Sequence, residues 1–174
     1  SLNVQGADGN AVEFRSAAGS PAKGDWYGIR LVDPSSAGLS FCNISYAVHG
    51  LTLQKAGVSV TDCTFTNCSG RGVDIDAEVV LTRCRAEDND GCGFKAIGST
   101  VFPSASMIDC VADRNGEQGV QFSPGTGFTG TLSGCSMRQN AGAGFKEMNS
   151  GDTLTIEDCE ITGNQEGIHL SDPI

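Results

Sequence analysis

The sequence predicts an all-β solenoid, a coil of short strands stacked in parallel on one another. Two periodicities predict it. A glycine followed by an apolar residue returns at Gly28-Ile29, Gly50-Leu51, Gly72-Val73, Gly93-Phe94, Gly119-Val120, Gly144-Phe145 and Gly167-Ile168, in steps of 22, 22, 21, 26, 25 and 23 residues. A period in the twenties marks units too small to bury an apolar face without neighbours. Between these marks the apolar residues alternate with period two, the spacing of strands with one face turned inward. Seven marks imply about seven coils, in one domain over residues 1–174 that reads as a piece of a longer protein.

Each coil resolves into three strands. The first carries pairs such as Val58-x-Val60, Val79-x-Leu81, Ala105-x-Met107 and Leu154-x-Ile156. The second carries Cys63-x-Phe65, Cys110-x-Ala112, Cys135-x-Met137 and Cys159-x-Ile161, and the third, after the glycine, Val73-x-Ile75, Val120-x-Phe122 and Ile168-x-Leu170. Equivalent strands of successive coils are expected to pair in parallel. Leucine-rich repeats have similar periods, but their LxxLxL signature is absent and no segment is long enough for a helix in each coil.

Cys42, Cys63, Cys84, Cys110, Cys135 and Cys159 stand eight or nine residues before the repeated glycine, at one equivalent inward position. Such a row places neighbours roughly 4.8 Å apart with side chains parallel rather than converging, so buried free thiols are expected in place of disulfides or a metal centre. Cys68 and Cys92 stand outside the row, in turns of adjacent coils, and are the one pair that invites a disulfide. Asn67, Asn89, Asn115, Asn140 and Asn164 recur four or five residues after the cysteine, which predicts a stacked asparagine turn.

Composition narrows the function. There are 24 Gly, only 18% charged residues and a net charge of -10, a balance that repels nucleic acid and anionic membrane surfaces. No segment is apolar enough for membrane insertion, and the opening SLNVQGADGN lacks the basic and apolar regions of a signal peptide. The chain is therefore expected to be intracellular or an excised piece of an exported protein.

With this repeat, the chain resembles the right-handed parallel β-helix repeat proteins, a bacterial and phage family of pectate-lyase-like enzymes and many surface proteins. The resemblance covers nearly the whole chain. The segment VEFRSAAGSPAKGDWYGIRL, residues 12–31, is similar to the V-x-F-x-S…GDWxGI element of exported, multidomain β-helix proteins, in which Trp26 and Tyr27 would pack. The resemblance implies a bacterial extracellular or cell-surface location. It also implies partners among polysaccharides and cell-surface proteins.

A fold of this kind hosts many activities, so function is sought on outward rows and irregular turns. The outward rows Arg30, Thr52, Asp74, Lys95, Gln121, Lys146, His169 and Asp62, Arg83, Asp109, Gly134, Asp158 mix signs, and Asp74 beside Lys95 predicts a surface ion pair. Neither row is a basic or aromatic track. The best catalytic candidates are Glu87 over Asp113 in adjacent coils, with Arg85, Arg114 and Arg138 around them. Two carboxylates on adjacent strands fall near the roughly 5 Å separation of retaining glycosidases. Asp74-x-Asp76 and Asp88-x-Asp90 suggest calcium weakly, without an EF-hand frame, and no other metal or cofactor is expected. His49 and His169 lack a catalytic partner in register. The third-to-first turns lengthen at residues 97–104, 123–129 and 148–153, which predicts a lip where Phe102 and Phe128 either bind a ligand as exposed aromatics or fold back over the coil edge.

The leading expectation is a non-catalytic structural, adhesive or carbohydrate-binding module. The alternative is a polysaccharide lyase, hydrolase or epimerase with Glu87, Asp113 and Arg138 in its site. A third is a filament subunit: neither end carries a cap, and an uncapped solenoid can self-associate end to end.

Overall fold

A computed structural model describes residues 1–33, 36–54, 56–97, 104–123, 128–148 and 152–171. Its 21 strands form three parallel sheets of seven strands each, and the chain visits the sheets in turn, coil after coil. Sheet 1 stacks Leu2–Gln5, Ala37–Ser40, Val58–Thr61, Val79–Thr82, Ser104–Ile108, Thr129–Ser133 and Thr153–Glu157. Sheet 2 stacks Val12–Phe14, Cys42–Ser45, Thr64–Thr66, Arg85–Glu87, Val111–Asp113, Ser136–Arg138 and Glu160–Thr162. Sheet 3 stacks Ile29–Leu31, Leu51–Leu53, Val73–Ile75, Phe94–Ala96, Val120–Phe122, Ala143–Glu147 and Glu166–Leu170.

From the second coil onward, sheets 1 and 2 meet at a corner of one or two residues. Phe41, Asp62, Arg83, Asp109, Gly134 and Asp158 each take φ between 50° and 64° there. Left-handed geometry costs an L-residue about 1–2 kcal/mol, but here the corner amides of all but the last coil stay within the ladder. Asp62 N donates to Thr82 O at 3.0 Å, Arg83 N to Ile108 O at 2.8 Å and Asp109 N to Ser133 O at 2.9 Å. A second left-handed row, Tyr46, Asn67, Asp88, Arg114, Gln139 and Gly163, ends sheet 2 in the same way.

Asn67 is thereby moved out of the asparagine row. It is four residues past its cysteine where the others are five, so it occupies the left-handed corner, and Cys68 stands in the asparagine position beside Ala47. The row proper is Asn89, Asn115, Asn140 and Asn164. Each side-chain oxygen accepts from a backbone amide one coil back: Asn89 Oδ1 from Cys68 N at 2.9 Å, Asn115 Oδ1 from Asn89 N at 3.3 Å, Asn140 Oδ1 from Asn115 N at 3.0 Å and Asn164 Oδ1 from Asn140 N at 2.9 Å. The side-chain amides link to one another along the row, Asn115 Nδ2 to Asn140 Oδ1 at 2.9 Å, and also reach back to the sheet 2 carbonyls, Asn115 Nδ2 to Ala86 O at 2.9 Å. Asn89, Asn115 and Asn140 are buried, so these bonds satisfy groups that water cannot reach.

The repeated glycine opens the next corner for lack of space rather than for its turn geometry. A Cβ at Gly119 would fall 2.7 Å from both Gly144 O and Asn140 Nδ2, and among the seven only Gly28 has a positive φ.

The core is a row of apolar layers. The six cysteines run in unbroken register, and all except the half-buried Cys159 are buried. All eight cysteines are free, including Cys68 and Cys92. Thiols of the row donate to backbone carbonyls, as Cys110 Sγ does to Ile108 O at 3.4 Å and Cys135 Sγ to Met107 O at 3.3 Å. In the last described coil Ile168 and Leu170 are 50% and 60% exposed.

Asn115→Ala removes a buried amide with bonds on both sides, and the expected loss is about 2–4 kcal/mol in chemical denaturation; an unchanged midpoint would contradict the role given to the row. Thiol titration under denaturing, non-reducing conditions is expected to find all eight cysteines reduced, and Cys110→Ser to cost roughly 1–3 kcal/mol for a hydroxyl buried among apolar groups.

Candidate functional site

Sheet 2 brings the predicted acids together. Glu87 and Asp113 are register partners in an outward row that continues from Thr66 to Arg138 and Thr162. Each carboxylate meets two guanidinium groups. Glu87 pairs with Arg85 and lies 3.5 Å from Arg114, while Asp113 pairs with Arg114 and lies 3.9 Å from Arg138. Arg114 projects from the left-handed corner and also clamps Asp88 through two bonds of 2.9 Å; that carboxylate raises its pKa above the usual arginine value. The two acid side chains are only 14% and 9% exposed. Asp113 Oδ1 and Arg138 Nε are buried without a partner among the described residues.

This geometry is a lattice of ion pairs on a flat sheet. A retaining glycosidase needs one carboxyl group free to attack and one free to give up a proton beside a bound sugar. Clefts of about 440, 450 and 390 Å³ lie away from the pair, around Val58–Val80, Arg15–Pro21 and Ala7–Asp62.

The thiols are the other candidate nucleophiles, and burial disposes of all but the half-buried Cys159. Desolvation pushes Cys68 up to about 11 and Cys92 up to about 12. Within the row the neighbouring thiols shift one another, Cys63 and Cys110 downward and Cys84 and Cys135 upward. Cys63 and Cys110 lie within the hydrophobic core, at 0% and 3% exposure. A substrate does not reach them there.

The remaining predicted residues disperse. Phe128 is 4% exposed and packs edge-on against Phe122, with centroids 5.0 Å apart. Of the two alternatives for this ring, folding back into the coil is the one the structure shows. A Cβ at position 130 would fall 2.3 Å from the Phe122 ring, so Gly130 leaves room that any side chain would deny, and the aromatic pair fills the widened coil. Phe102 lies outside the described residues. Asp74 is register partner to Lys95 but bonds Arg71 at 2.8 Å. Of the weak calcium candidates, Asp88 is held by Arg114 and Asp90 by Lys23 at 2.6 Å. Among the described residues no three His, Cys, Asp or Glu side chains converge as metal ligands. His49 Nδ1 accepts from Arg71 N at 3.2 Å, and His169 meets Glu166 at 2.6 Å. Trp26 donates to Ser45 O at 2.8 Å and packs on the core, whereas Tyr27 is 90% exposed.

Sequence reasoning missed Lys23, which reaches from the first coil to Asp88 O at 2.7 Å and Asp90 in the fourth. Nothing in a lone lysine of an irregular segment signals such a strap. It also missed the left-handed rows, although Asp62, Asp109, Asp158 and Gly134 at one repeat position carried the signal.

No curated protein and no solved structure matches the chain. The family model described as the right handed beta helix region matches residues 27–172, nearly the span over which the coils repeat. The chain belongs to the right-handed β-helix family.

Proposed function

We propose that this chain is a non-catalytic structural or adhesive β-helix module of an exported or surface protein, with carbohydrate among its ligand classes. The engagement of Glu87 and Asp113 by arginines carries the reading: the best-placed carboxylates of the described surface are committed to ion pairs. The likeness of residues 12–31 to exported β-helix proteins supports the location. The competing reading, a lyase, hydrolase or epimerase, requires the arginines to release these acids to a substrate.

The test is a panel of acidic and neutral polysaccharides scored for new reducing ends, unsaturated products and epimerised sugars. No turnover is expected, and Glu87→Gln and Asp113→Asn are expected to leave any binding unchanged. Turnover abolished by either substitution would replace this reading with the enzymatic one.

A further inference from the structure

Cys92 keeps company that the other thiols do not. Thiols of the core row donate to backbone carbonyls, and Cys68 Sγ does the same to Thr66 O at 3.6 Å. Cys92 instead faces side chains of the next coil. Its sulfur lies 3.2 Å from Glu117 Oε2, 3.3 Å from Gln118 Oε1 and 3.3 Å from Gln121 Oε1. The register explains the meeting. Cys92 and Gln118 each precede a repeated glycine, and Gly93 N donates to Gln118 O at 3.0 Å, so the two positions stack. Gln121 stands in the outward row of sheet 3 as register partner of Lys95.

Donors and acceptors do not balance here. A thiol brings one proton, whereas an ionised carboxylate and an amide oxygen bring none. One of the three oxygens takes that proton, which leaves two acceptors turned toward a sulfur with nothing to give them. The amide of Gln121 is fixed in this orientation, because its nitrogen donates to Ser123 Oγ at 2.8 Å and to Met148 Sδ, a thioether that only accepts. Gln121 is 5% exposed, and an acceptor at that depth ordinarily has a donor. Charge is unbalanced as well, since Glu117 forms no ion pair with another described residue.

What these four groups share is affinity for a cation. Zinc–sulfur bonds of about 2.3 Å and zinc–oxygen bonds of about 2.0–2.2 Å place sulfur and oxygen of a tetrahedral site roughly 3.5 Å apart, close to the separations around Cys92. Calcium and magnesium take oxygen ligands and have no use for the thiol; a thiolate joined to a carboxylate and amides suits a softer ion. Only one cysteine and one acid belong to the set, which is why no three of the commoner ligands converge among the described residues. Glu117 is exposed and Cys92 fully buried, so an ion has a way in past the carboxylate and a shielded seat behind it.

We propose that Cys92, Glu117, Gln118 and Gln121 form a site for a divalent transition-metal ion of the zinc class, which ties the fourth coil to the fifth. The S–H bond of Cys92 breaks, its proton goes to solvent, and a sulfur–metal bond forms. Without the ion, burial and then the neighbouring Glu117 keep the thiol protonated; a cation at the site reverses that balance. The site does not depend on the reading of the chain as an adhesive module.

The experiment takes the full chain, freed of metal by a chelator and kept reduced, and titrates it with Co²⁺ as a spectroscopic stand-in for Zn²⁺. One equivalent is expected to raise a thiolate-to-cobalt charge-transfer band that Zn²⁺ then displaces. Zn²⁺ is also expected to raise the melting temperature, since the ion favours the folded chain. Cys92→Ser should abolish the band and the thermal shift. Glu117→Gln, at an exposed position, should weaken binding by roughly tenfold or more, and it carries the test if the serine variant does not fold. Cys159→Ser removes the half-buried thiol of the row and should change nothing. Absence of the band throughout the titration, or its survival in Cys92→Ser, would overturn the proposal. So would a band that emerges only in Lys95→Met, because the neighbouring ammonium would then be the cation that the oxygens face. Ready displacement of Co²⁺ by Ca²⁺ would overturn it in favour of an oxygen-only site.

Discussion

Every backbone amide must find a carbonyl one coil away, even where the chain turns a corner. A solenoid without this would bury unpaired polar groups at each bend, at a cost that the narrow apolar core would have to offset. The chain meets the requirement in three ways. At two corners a single left-handed residue turns the chain while its amide stays on the ladder. At the second of these the asparagine that follows supplies its own oxygen to an amide of the preceding coil. Next to the asparagines, glycines let the backbones approach closely enough for the stack to close.

Holding that register has consequences for every surface. Because successive coils align residue for residue, an outward position becomes a line of seven side chains, and its composition becomes a property of the face. Sheet 2 uses its lines for carboxylates and guanidiniums that neutralise one another. Sheet 3 mixes charges along its length, and sheet 1 carries mostly hydroxyls and hydrocarbons, with Asn3 and Gln5 in its first coil and Glu157 in its last. The inward lines are apolar, with thiols serving as small hydrophobes whose protons go to nearby carbonyls.

Much of this was legible in the sequence because a stacked repeat writes the same constraint many times. The cysteine row, the sheet assignments and the pairing of Glu87 with Asp113 follow from spacing alone. Asn67 shows the limit: one residue between cysteine and corner changes its environment entirely, and identity is a poor guide to such a shift when asparagine suits both the corner and the amide row. Phe128 shows another. An aromatic in a long turn reads equally as exposed or folded back, and its burial depends on Gly130, in the strand that follows, leaving space for the Phe122 ring. The neighbourhood of the two acids and the arginines was legible, but not which arginine engages which acid, since Arg114 reaches three carboxylates only because its corner points it along the sheet.

Native-state hydrogen exchange tests the central claim most directly, at the amides of Cys68, Asn89, Asn115 and Asn140. These lie at a corner and donate to side-chain oxygens rather than to a backbone ladder. The account predicts that they exchange as slowly as the sheet 2 core amides, through global opening alone. Exchange at the rate of ordinary exposed turns would show that the asparagine row decorates the coil without holding it, and would contradict the account.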